Sequence, residues 1–235
     1  MRILDVQQGS PEWHQHRAAS CNASELAAVM GLSSYTTRAE LVRQRALGIV
    51  PEIDAETQRR FDRGHEYEAI ARPWAEEIIG EELYPVTLSA DHDGLPLSAS
   101  VDGITLAEHV TWEHKTLNLA LAAALDAGEI PEEYRPQMEQ GLLISGASRC
   151  LFMASAGDRE TMRFAWYESD PALRARIIPA WRQFLADVAN YQHVEDPPVP
   201  EGRAPETLPA LRIEVKGMVA ASNLAEFQQH AMAVI

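Results

Sequence analysis

The stretch LPLSASVDGITLAEHVTWEHK, from Leu95 to Lys115, decides the fold. It contains two runs of β-strand composition, Ser98–Leu106 and Val110–Thr116, separated by a short segment at 107–109. Two such runs joined by a short reversal predict a β-hairpin. The rest of the chain is best understood from the side chains that this hairpin brings together.

Three charged side chains are predicted to meet on one face of the hairpin. Opposed residues in an antiparallel pair have a nearly constant sum of residue numbers, so the turn places Asp102 opposite Glu113. Because side chains alternate along a strand, Glu113 and Lys115 share a face and His114 points to the other. Two adjacent carboxylates repel each other, and a hard divalent cation would offset that repulsion. This is the D-x(n)-E-x-K arrangement of metal-dependent nucleases, although a solvated hairpin face with cross-strand charges has the same spacing.

The composition predicts a soluble protein with one sizeable α/β domain. The chain has 235 residues, of which 46% are hydrophobic, and no apolar run is long enough to cross a membrane. The N-terminus has no secretory signal pattern, so we expect a cytoplasmic location. Cys21 and Cys150 are far apart and form no Cys-x-x-Cys pair, which argues against a disulfide framework or a zinc site.

The charge is distributed unevenly along an acidic chain. The formal net charge is −15. Residues 1–75 nevertheless contain nine arginines and ten acidic residues, whereas residues 76–235 contain 11 basic and 25 acidic residues. A surface that could bind a polyanion is therefore expected mostly in the N-terminal third, although this distribution alone does not indicate nucleic acid.

A second candidate site lies near the N-terminus. Asn22 or Ser24 can cap a short helix predicted over Ala23–Met30. Arg17 precedes this helix and follows Trp13 by four residues, which places both side chains on one face if that segment is helical. An arginine, a hydroxyl and free backbone amides could bind a phosphate. The same residues also fit an N-terminal arm that packs on the core through Trp13.

Residues 55–79 are predicted to form a long helix, with Pro73 kinking it or starting a second helix. Its core-facing stripe consists of large apolar residues at helical spacing: Phe61, Tyr67, Ile70, Trp74 and Ile78. Gly64 costs about 1 kcal/mol relative to alanine in a helix, which suggests a close approach of another backbone segment. Glu66 and Glu68 point about 160° apart around the axis, so only one of them can face a site.

The remaining pattern predicts a mixed sheet covered by helices rather than a doubly wound parallel sheet. The other predicted elements are a helix at 35–48, a strand at 83–89, helices at 117–127, 136–145 and 172–191, and a second hairpin of strands at 151–155 and 162–167. These elements give one domain over residues 1–194. A Pro-rich linker is predicted at 195–209, followed by a short strand and helix at 210–235 that cannot form a core alone.

Five blocks of the sequence have the order and spacing of a known family's motifs. The blocks are QGSPEWHQHR with ASELAAVMG, RGHEYEAIAR, SASVDGI, WEHK and YRPQMEQGLLISG. Over residues 7–192 the chain resembles the lambda-type viral exonucleases, also called the YqaJ family. The resemblance implies a PD-(D/E)xK, restriction-endonuclease-like fold with a mixed sheet flanked by helices. It also implies a Mg²⁺-dependent exonuclease that digests one strand of linear duplex DNA from its 5′ end.

The resemblance further implies roles for individual residues. Asp102, Glu113 and the backbone carbonyl of His114 would hold two Mg²⁺ ions, or Mn²⁺ in their place, and Lys115 would position the attacking water. Two more residues match motifs of the catalytic site: Glu68, with Glu66 as the alternative, and Gln137. A last group matches the pocket that grips the terminal 5′ phosphate and contacts the DNA: Arg17, Ser24, Ser100 and Trp13.

By the same resemblance we expect a homotrimeric ring that threads DNA and works with a single-strand annealing protein. Three alternatives stay open from the sequence. The chain could be an endonuclease with the same fold, or a non-catalytic DNA-end-binding recombination accessory protein. It could also be an acidic α/β protein in which the Asp–Glu–Lys triple is coincidental.

Overall fold

A computed structural model describes residues 1–6, 9–51 and 54–192. Its strands are β1 (Arg2–Leu4), β2 (Cys21–Asn22), β3 (Leu83–His92), β4 (Leu95–Thr105), β5 (Val110–Thr116), β6 (Arg149–Ser155) and β7 (Arg163–Glu168). Its helices are α1 (Pro11–Ala18), α2 (Ala23–Val29), α3 (Arg38–Leu47), α4 (Ala55–Ile79), α5 (Leu119–Asp126), α6 (Arg135–Ser145) and α7 (Pro171–Ala189). A 3₁₀ turn at Glu132–Tyr134 precedes α6. The predicted linker at 195–209 and the extension at 210–235 lie outside the described residues.

The strands form one mixed sheet in the order β1-β3-β4-β5-β6-β7, with β2 added beside β4. Neighbouring strands along this path are antiparallel except for β5 and β6, which run parallel. The β2–β4 pair is also parallel. A parallel pair needs a long crossover, and the segment with α5 and α6 supplies it between β5 and β6. The predicted mixed sheet flanked by helices is therefore confirmed.

The central hairpin has the predicted register. In the β4–β5 ladder Gly103 is paired with Trp112 and Ile104 with Thr111. Both pairs have the residue-number sum that the position of the turn predicts. The β4 residue that precedes Gly103 therefore comes next to the β5 residue that follows Trp112, and these are the two hairpin acids.

A β-bulge interrupts the β3–β4 ladder beside these acids. The register shifts between Tyr84 and Val86, so Asp102 and Gly103 together face the single residue Pro85. Proline has no N–H to donate to a ladder, which suits a position where pairing is interrupted. A bulge breaks the alternation of a strand and redirects its side chains. The direction in which the Asp102 side chain points is therefore set by the bulge, which the two-residue alternation of a strand does not predict.

Helices cover both faces of the sheet. On β6, Phe152 packs with residues of α5 and α6, whereas its neighbours Leu151 and Met153 pack with residues of α4. Successive side chains of a strand point to opposite faces, so the sheet is enclosed between these helices. Burying one side chain of this size contributes roughly 1.5–3 kcal/mol to the free energy of unfolding. The enclosed strand β6 is therefore a stable support for its neighbour β5.

Helix α4 differs from the prediction in two respects. It continues through Pro73 without a break, so the predicted start of a second helix is wrong. Ala71 and Ala75, on either side of the proline, are fully buried against the sheet, and this packing holds the helix across the missing hydrogen bond. The core-facing stripe is also partly wrong, because Phe61 and Ile70 remain 43% and 40% exposed.

Helix α6 is fixed by its ends and by a buried amide. Pro136 lies in the first turn of α6, where a missing N–H costs little. Gly146 caps the C-terminal end of the helix with a positive φ of 78°. Gln140 is fully buried. Its Nε2 donates to Cys21 O at 2.7 Å and to Ser98 O at 3.0 Å, so α6 is tied to both β2 and β4. No helix among the described residues has the length and apolar character needed to cross a membrane.

Candidate active site

A cleft of about 1380 Å³ opens over β4 and β5 and is bordered by α1, α2, α4 and α6. Apart from Glu66, the alternative to Glu68, all the site residues named from the sequence line it: Trp13, Arg17, Ser24, Glu68, Ser100, Asp102, Glu113, His114, Lys115 and Gln137. These residues come from six different helices and strands. The fold therefore gathers the predicted metal-binding and phosphate-binding groups into one cleft.

Strand β5 presents a connected acid–lysine pair to the cleft. Glu113 Oε1 accepts hydrogen bonds from Lys115 Nζ at 2.5 Å and from Gln137 Nε2 at 2.6 Å. Lys115 Nζ also donates to Gln137 Oε1 at 3.4 Å. The amide of Gln137 thus bridges both partners, and it fixes the lysine on the cleft side of the sheet as the alternation of β5 predicts.

Two further carboxylates face the same cleft from different elements. Asp102 Oδ2 accepts a hydrogen bond from the backbone N–H of His114 at 2.7 Å, which ties the bulged strand to β5. Glu68 Oε1, on α4, accepts from Arg72 Nη2 at 3.0 Å. Glu66 is exposed and is not among the cleft-lining residues described. Of the two α4 candidates, Glu68 is therefore the one that faces the site.

Burial and mutual repulsion make these carboxyl groups hard to ionise. Burial, followed by the charge of Glu68, raises the pKa of Asp102 to about 6. Burial also raises the pKa of Glu113 to about 7, with Asp102 adding to the effect and Lys115 opposing it. The pKa of Glu68 is raised, again mainly by burial. For Lys115, burial disfavours the charge, but Glu113 and Asp102 outweigh burial and raise its pKa. Lys115 and Arg72 are therefore the two cations set against these three carboxyl groups, which leaves this acidic group one positive charge short.

The carboxylate oxygens of Glu68, Asp102 and Glu113 are suitable ligands for a divalent cation. Within the described residues, hydrogen bonds use Oε1 of Glu68, Oδ2 of Asp102 and Oε1 of Glu113. None of these bonds uses the second oxygen of any of the three carboxylates. Hard cations prefer such oxygen ligands and would offset the repulsion that raises the pKa values. The described residues contain no cluster of three acidic, histidine or cysteine side chains already close enough to enclose an ion.

The side chain of His114 points away from the carboxylates, as the alternation of β5 predicts. Its Nε2 lies 2.9 Å from Ser155 Oγ, and its ring packs 5.8 Å from that of Trp112, centroid to centroid. Burial lowers the pKa of His114 to about 4. A neutral imidazole buried on the far face leaves only the backbone of this residue available to a group in the cleft.

The predicted phosphate-binding residues form a second connected group in the cleft. Arg17 Nη1 and Nη2 each donate to Ser24 Oγ at 3.2 Å. The guanidinium carbon of Arg17 lies 4.8 Å from the centroid of the Trp13 ring, and Trp13 Nε1 donates to Ser100 Oγ at 3.3 Å. Ser100 and Asp102 are two residues apart on β4, a separation of roughly 7 Å along a strand. The two groups are therefore neighbours.

The cleft also contains residues that the sequence analysis did not select as site residues. Phe61 and His65 line it from α4, Tyr35 from the loop before α3, and Tyr134 from the 3₁₀ turn. Phe61 and His65 lie seven and three residues before Glu68, so a helical projection centred on Glu68 would have found both. Tyr35 and Tyr134 reach the cleft from irregular segments whose path the sequence pattern does not define.

Gly64 lines the cleft as well, but not for the predicted reason. A Cβ atom built on Gly64 would lie 3.8 Å from Thr116 Oγ1, an ordinary van der Waals distance. No other heavy atom of the described chain beyond its own helix turn lies within 4 Å of that position. The predicted close approach of another backbone segment is therefore wrong.

Comparisons with known proteins identify the family and the fold of the chain. A family model described as the YqaJ-like viral recombinase domain matches residues 12–148. Two structures of LHK-Exo, an alkaline exonuclease from Laribacter hongkongensis, match with a TM-score of 0.61 and 28% identity over 77% of this chain and 93% of that chain. One of the two is a complex with dAMP. A phage-related exonuclease from Haemophilus somnus 129PT shares the fold, with a TM-score of 0.51 and 14% identity over 73% of this chain and 95% of that chain. No curated protein sequence matches the chain.

Proposed function

The chain belongs to the YqaJ-like viral recombinase family and has the PD-(D/E)xK-type fold, and from that premise we propose that it is a metal-dependent DNA exonuclease. The observation that carries the proposal is one cleft in which three carboxylates and a lysine lie beside an arginine–serine pocket. LHK-Exo, which has the same fold, is an alkaline exonuclease. An exonuclease that acts at a phosphorylated end uses both groups, because it must hold the DNA end and hydrolyse the adjacent phosphodiester.

We propose that Asp102, Glu113 and the backbone carbonyl of His114 hold two Mg²⁺ ions, or Mn²⁺, with Glu68 completing the acidic wall. Such ions stabilise the negative charge on the attacking and leaving oxygens of a phosphodiester. The carboxylate oxygens that make no hydrogen bond within the described chain support this assignment. The raised pKa values of Asp102 and Glu113 support it too, because a cation relieves the repulsion that raises them.

Lys115 is proposed to orient the attacking water. Its ammonium stays protonated at neutral pH, because the two neighbouring carboxylates raise its pKa. It is also held in place by Glu113 and Gln137. A fixed N–H donor can hold a water oxygen in line with the scissile bond, which lowers the entropic part of the barrier. Gln137 then acts as a positioning residue for both of its partners.

The arginine–serine pocket is proposed to bind the terminal 5′ phosphate. Arg17, Ser24 and Ser100 supply a guanidinium and two hydroxyls, and Trp13 supplies an aromatic surface for the end of the duplex. A pocket about one nucleotide from the carboxylates would direct cleavage to the bond next to the end. The protein would therefore degrade one strand from 5′ to 3′, release mononucleotides and leave a 3′ single strand for annealing.

We further propose a homotrimeric ring that works with a single-strand annealing protein in the cytoplasm. The resemblance to the lambda-type viral exonucleases implies the ring and the annealing partner, and the concentration of arginines in residues 1–75 is compatible with a basic channel on an otherwise acidic body. Sizing with light scattering tests the assembly. A particle of three 26.1 kDa chains is expected, and a monomeric mass would contradict the ring.

The experiment that tests the activity compares linear duplex DNA with a covalently closed circle in the presence of Mg²⁺. We expect nucleotide release from the linear DNA, an intact circle, and no hydrolysis by the Lys115→Ala variant. A nicked or linearised circle would indicate an endonuclease with the same fold. Binding to DNA ends without hydrolysis in Mg²⁺ or Mn²⁺ would indicate a non-catalytic accessory protein.

A further inference from the structure

Arg17 is held by a contact that lies behind the proposed phosphate pocket. Glu25, in the first turn of α2, accepts a hydrogen bond from Arg17 Nη2 through Oε1 at 3.3 Å. Its other oxygen, Oε2, accepts from Arg45 Nη2 at 2.5 Å. Arg17 lines the cleft, whereas Glu25 and Arg45 are not among the described residues that line it. One carboxylate outside the cleft is thus shared between a cleft arginine and an arginine of α3.

The shared carboxylate is itself fixed by a buried amide. Asn22 is 2% exposed, and its Nδ2 donates to Glu25 Oε2 at 3.3 Å and to the backbone oxygen of Arg17 at 2.8 Å. Arg45 is anchored as well, because it donates to the backbone oxygens of Ala18 and Ser20 at 2.8 and 3.0 Å. Glu25 therefore has little freedom to move, and neither does the arginine that depends on it.

The charges of this group leave the pocket positive. Two arginines and one carboxylate sum to a single positive charge, which faces the cleft at Arg17. The guanidinium of Arg17 makes two hydrogen bonds to Ser24 and one to Glu25. A guanidinium carries more N–H donors than these three bonds use, so donors remain for a phosphate. Without Arg45, the charge of Glu25 would cancel that of Arg17 and repel a phosphate.

We propose that Glu25 is a positioning residue for recognition of the 5′ phosphate, acting through Arg17 with Arg45 as its counterion. The inference rests on the proposed function of the arginine–serine pocket. Glu25 holds the guanidinium beside Ser24 before a DNA end arrives, so binding does not have to restrict a free arginine side chain. Such preorganisation increases affinity by reducing the entropy lost on binding. Selectivity for phosphorylated ends therefore depends on a carboxylate that does not touch the DNA.

The test measures binding rather than hydrolysis. All variants are made in the Lys115→Ala background, so that the DNA is not consumed. Fluorescence anisotropy in Mg²⁺ gives the Kd for a duplex with a 5′ phosphate and for the same duplex with a 5′ hydroxyl. Glu25→Gln keeps the shape and removes the charge. The added positive charge should attract both duplexes, so the readout is the ratio of their Kd values; because Arg17 is no longer held by a charged partner, this preference for the phosphorylated duplex should fall about fivefold to tenfold, the range expected for one partly exposed charged hydrogen bond.

Two further variants separate positioning from a general effect. Glu40→Gln removes a carboxylate that pairs with Arg43 at 3.4 Å on α3, and it should leave the preference unchanged. In the Arg17→Ala background, Glu25→Gln should cause no further loss of affinity for the phosphorylated duplex. A further loss there would mean that Glu25 acts by another route, and it would overturn the inference.

A third variant covers a folding failure. If thermal unfolding shows that Glu25→Gln is not folded, Glu25→Asp, which keeps the charge but shortens its reach, should lower the preference by a smaller factor.

The binding measurements distinguish a failure of this inference from a failure of the proposed function. If the Lys115→Ala protein itself binds both duplexes equally, the phosphate pocket is wrong and the role of Glu25 fails with it. If that protein prefers the phosphorylated duplex and Glu25→Gln keeps the whole preference, the pocket stands and only the role of Glu25 is refuted.

Discussion

Replacing Asp102 by asparagine should stabilise the metal-free protein at alkaline pH. Folding raises the pKa of Asp102 from an ordinary value of 3.8 to about 6, first because the group is buried and then because of Glu68. Because one pKa unit corresponds to ~1.4 kcal/mol, ionising Asp102 in the folded protein costs roughly 2–3 kcal/mol. The asparagine side chain would keep an oxygen that can accept the backbone N–H of His114, so Asp102→Asn removes the charge with little change in shape.

The sign of the effect gives it a characteristic pH dependence. A carboxyl group whose pKa is higher in the folded state than in the unfolded state destabilises the fold once it is ionised. For Asp102 the cost is absent below about pH 4 and complete above about pH 6. The stability difference between Asp102→Asn and the wild type should therefore be fully present at pH 8, decrease at pH 5 and vanish near pH 4.

Thermal unfolding in EDTA measures this difference. At pH 8 the midpoint of Asp102→Asn should lie roughly 4–12 °C above that of the wild type, given the size of the chain. Mg²⁺ should raise the midpoint of the wild type and have a much smaller effect on the variant, because a ligand stabilises only a state that binds it. Glu129→Gln, at an exposed position, is the matched control and should change neither result. A variant that is less stable than the wild type in EDTA at pH 8 would refute the electrostatic reasoning.

Three other predictions follow from the site. The Mg²⁺ concentration that gives half-maximal hydrolysis should fall between about pH 6 and pH 8, because in the metal-free protein Asp102 and Glu113 have pKa values of about 6 and about 7 and bind a cation only when ionised; a half-maximal concentration independent of pH over this range would contradict it. Arg17→Ala should remove the preference for 5′-phosphorylated ends in a competition between phosphorylated and unphosphorylated duplexes, and a retained preference would show that another group binds the phosphate. Gly64→Ala should raise the free energy of unfolding by about 1 kcal/mol, as measured by urea denaturation, since the added Cβ only reaches ordinary contact with Thr116 Oγ1 at 3.8 Å; a loss of stability would mean that the helix needs a glycine there.

The sequence was most informative where the site depends on local geometry. The short connection between β4 and β5 determines their register, and the register determines which residues face each other. The two-residue period of β5 then separates Glu113 and Lys115 from His114, whose ring lies on the other face of the sheet against Ser155. These steps need only neighbouring residues in one hairpin, so periodicity was sufficient to predict them.

The features that the sequence did not predict depend on distant parts of the chain. Strand β2 is only two residues long and pairs Cys21 with Leu97, a contact that no local pattern indicates. The bulge at Asp102 is visible only once β3 is aligned with β4. In the same way, the pairing of Glu25 with Arg45 depends on how α2 packs beside α3. Periodicity describes one element at a time and contains no information on these contacts.

The exposed face of α4 shows a different limit. Phe61 and Ile70 fit a core-facing stripe by spacing, yet they remain exposed. The small residues Ala71 and Ala75 are buried in their place. A helix that packs closely on a sheet can present small residues to it, and hydrophobic size alone then selects the wrong face. Phe61 lines the cleft instead, where an apolar side chain can contact a ligand.

The identity of the strand that is degraded tests the central claim most directly. The substrate is a linear duplex in which only one strand has a 5′ phosphate and each strand has a different fluorophore at its 3′ end. In Mg²⁺, the account predicts that the phosphorylated strand shortens progressively from its 5′ end, with release of mononucleotides, while the other strand remains intact as a 3′ single strand. Shortening from a 3′ end, or equal loss of both strands, would contradict the assignment of the arginine–serine pocket beside the acidic site.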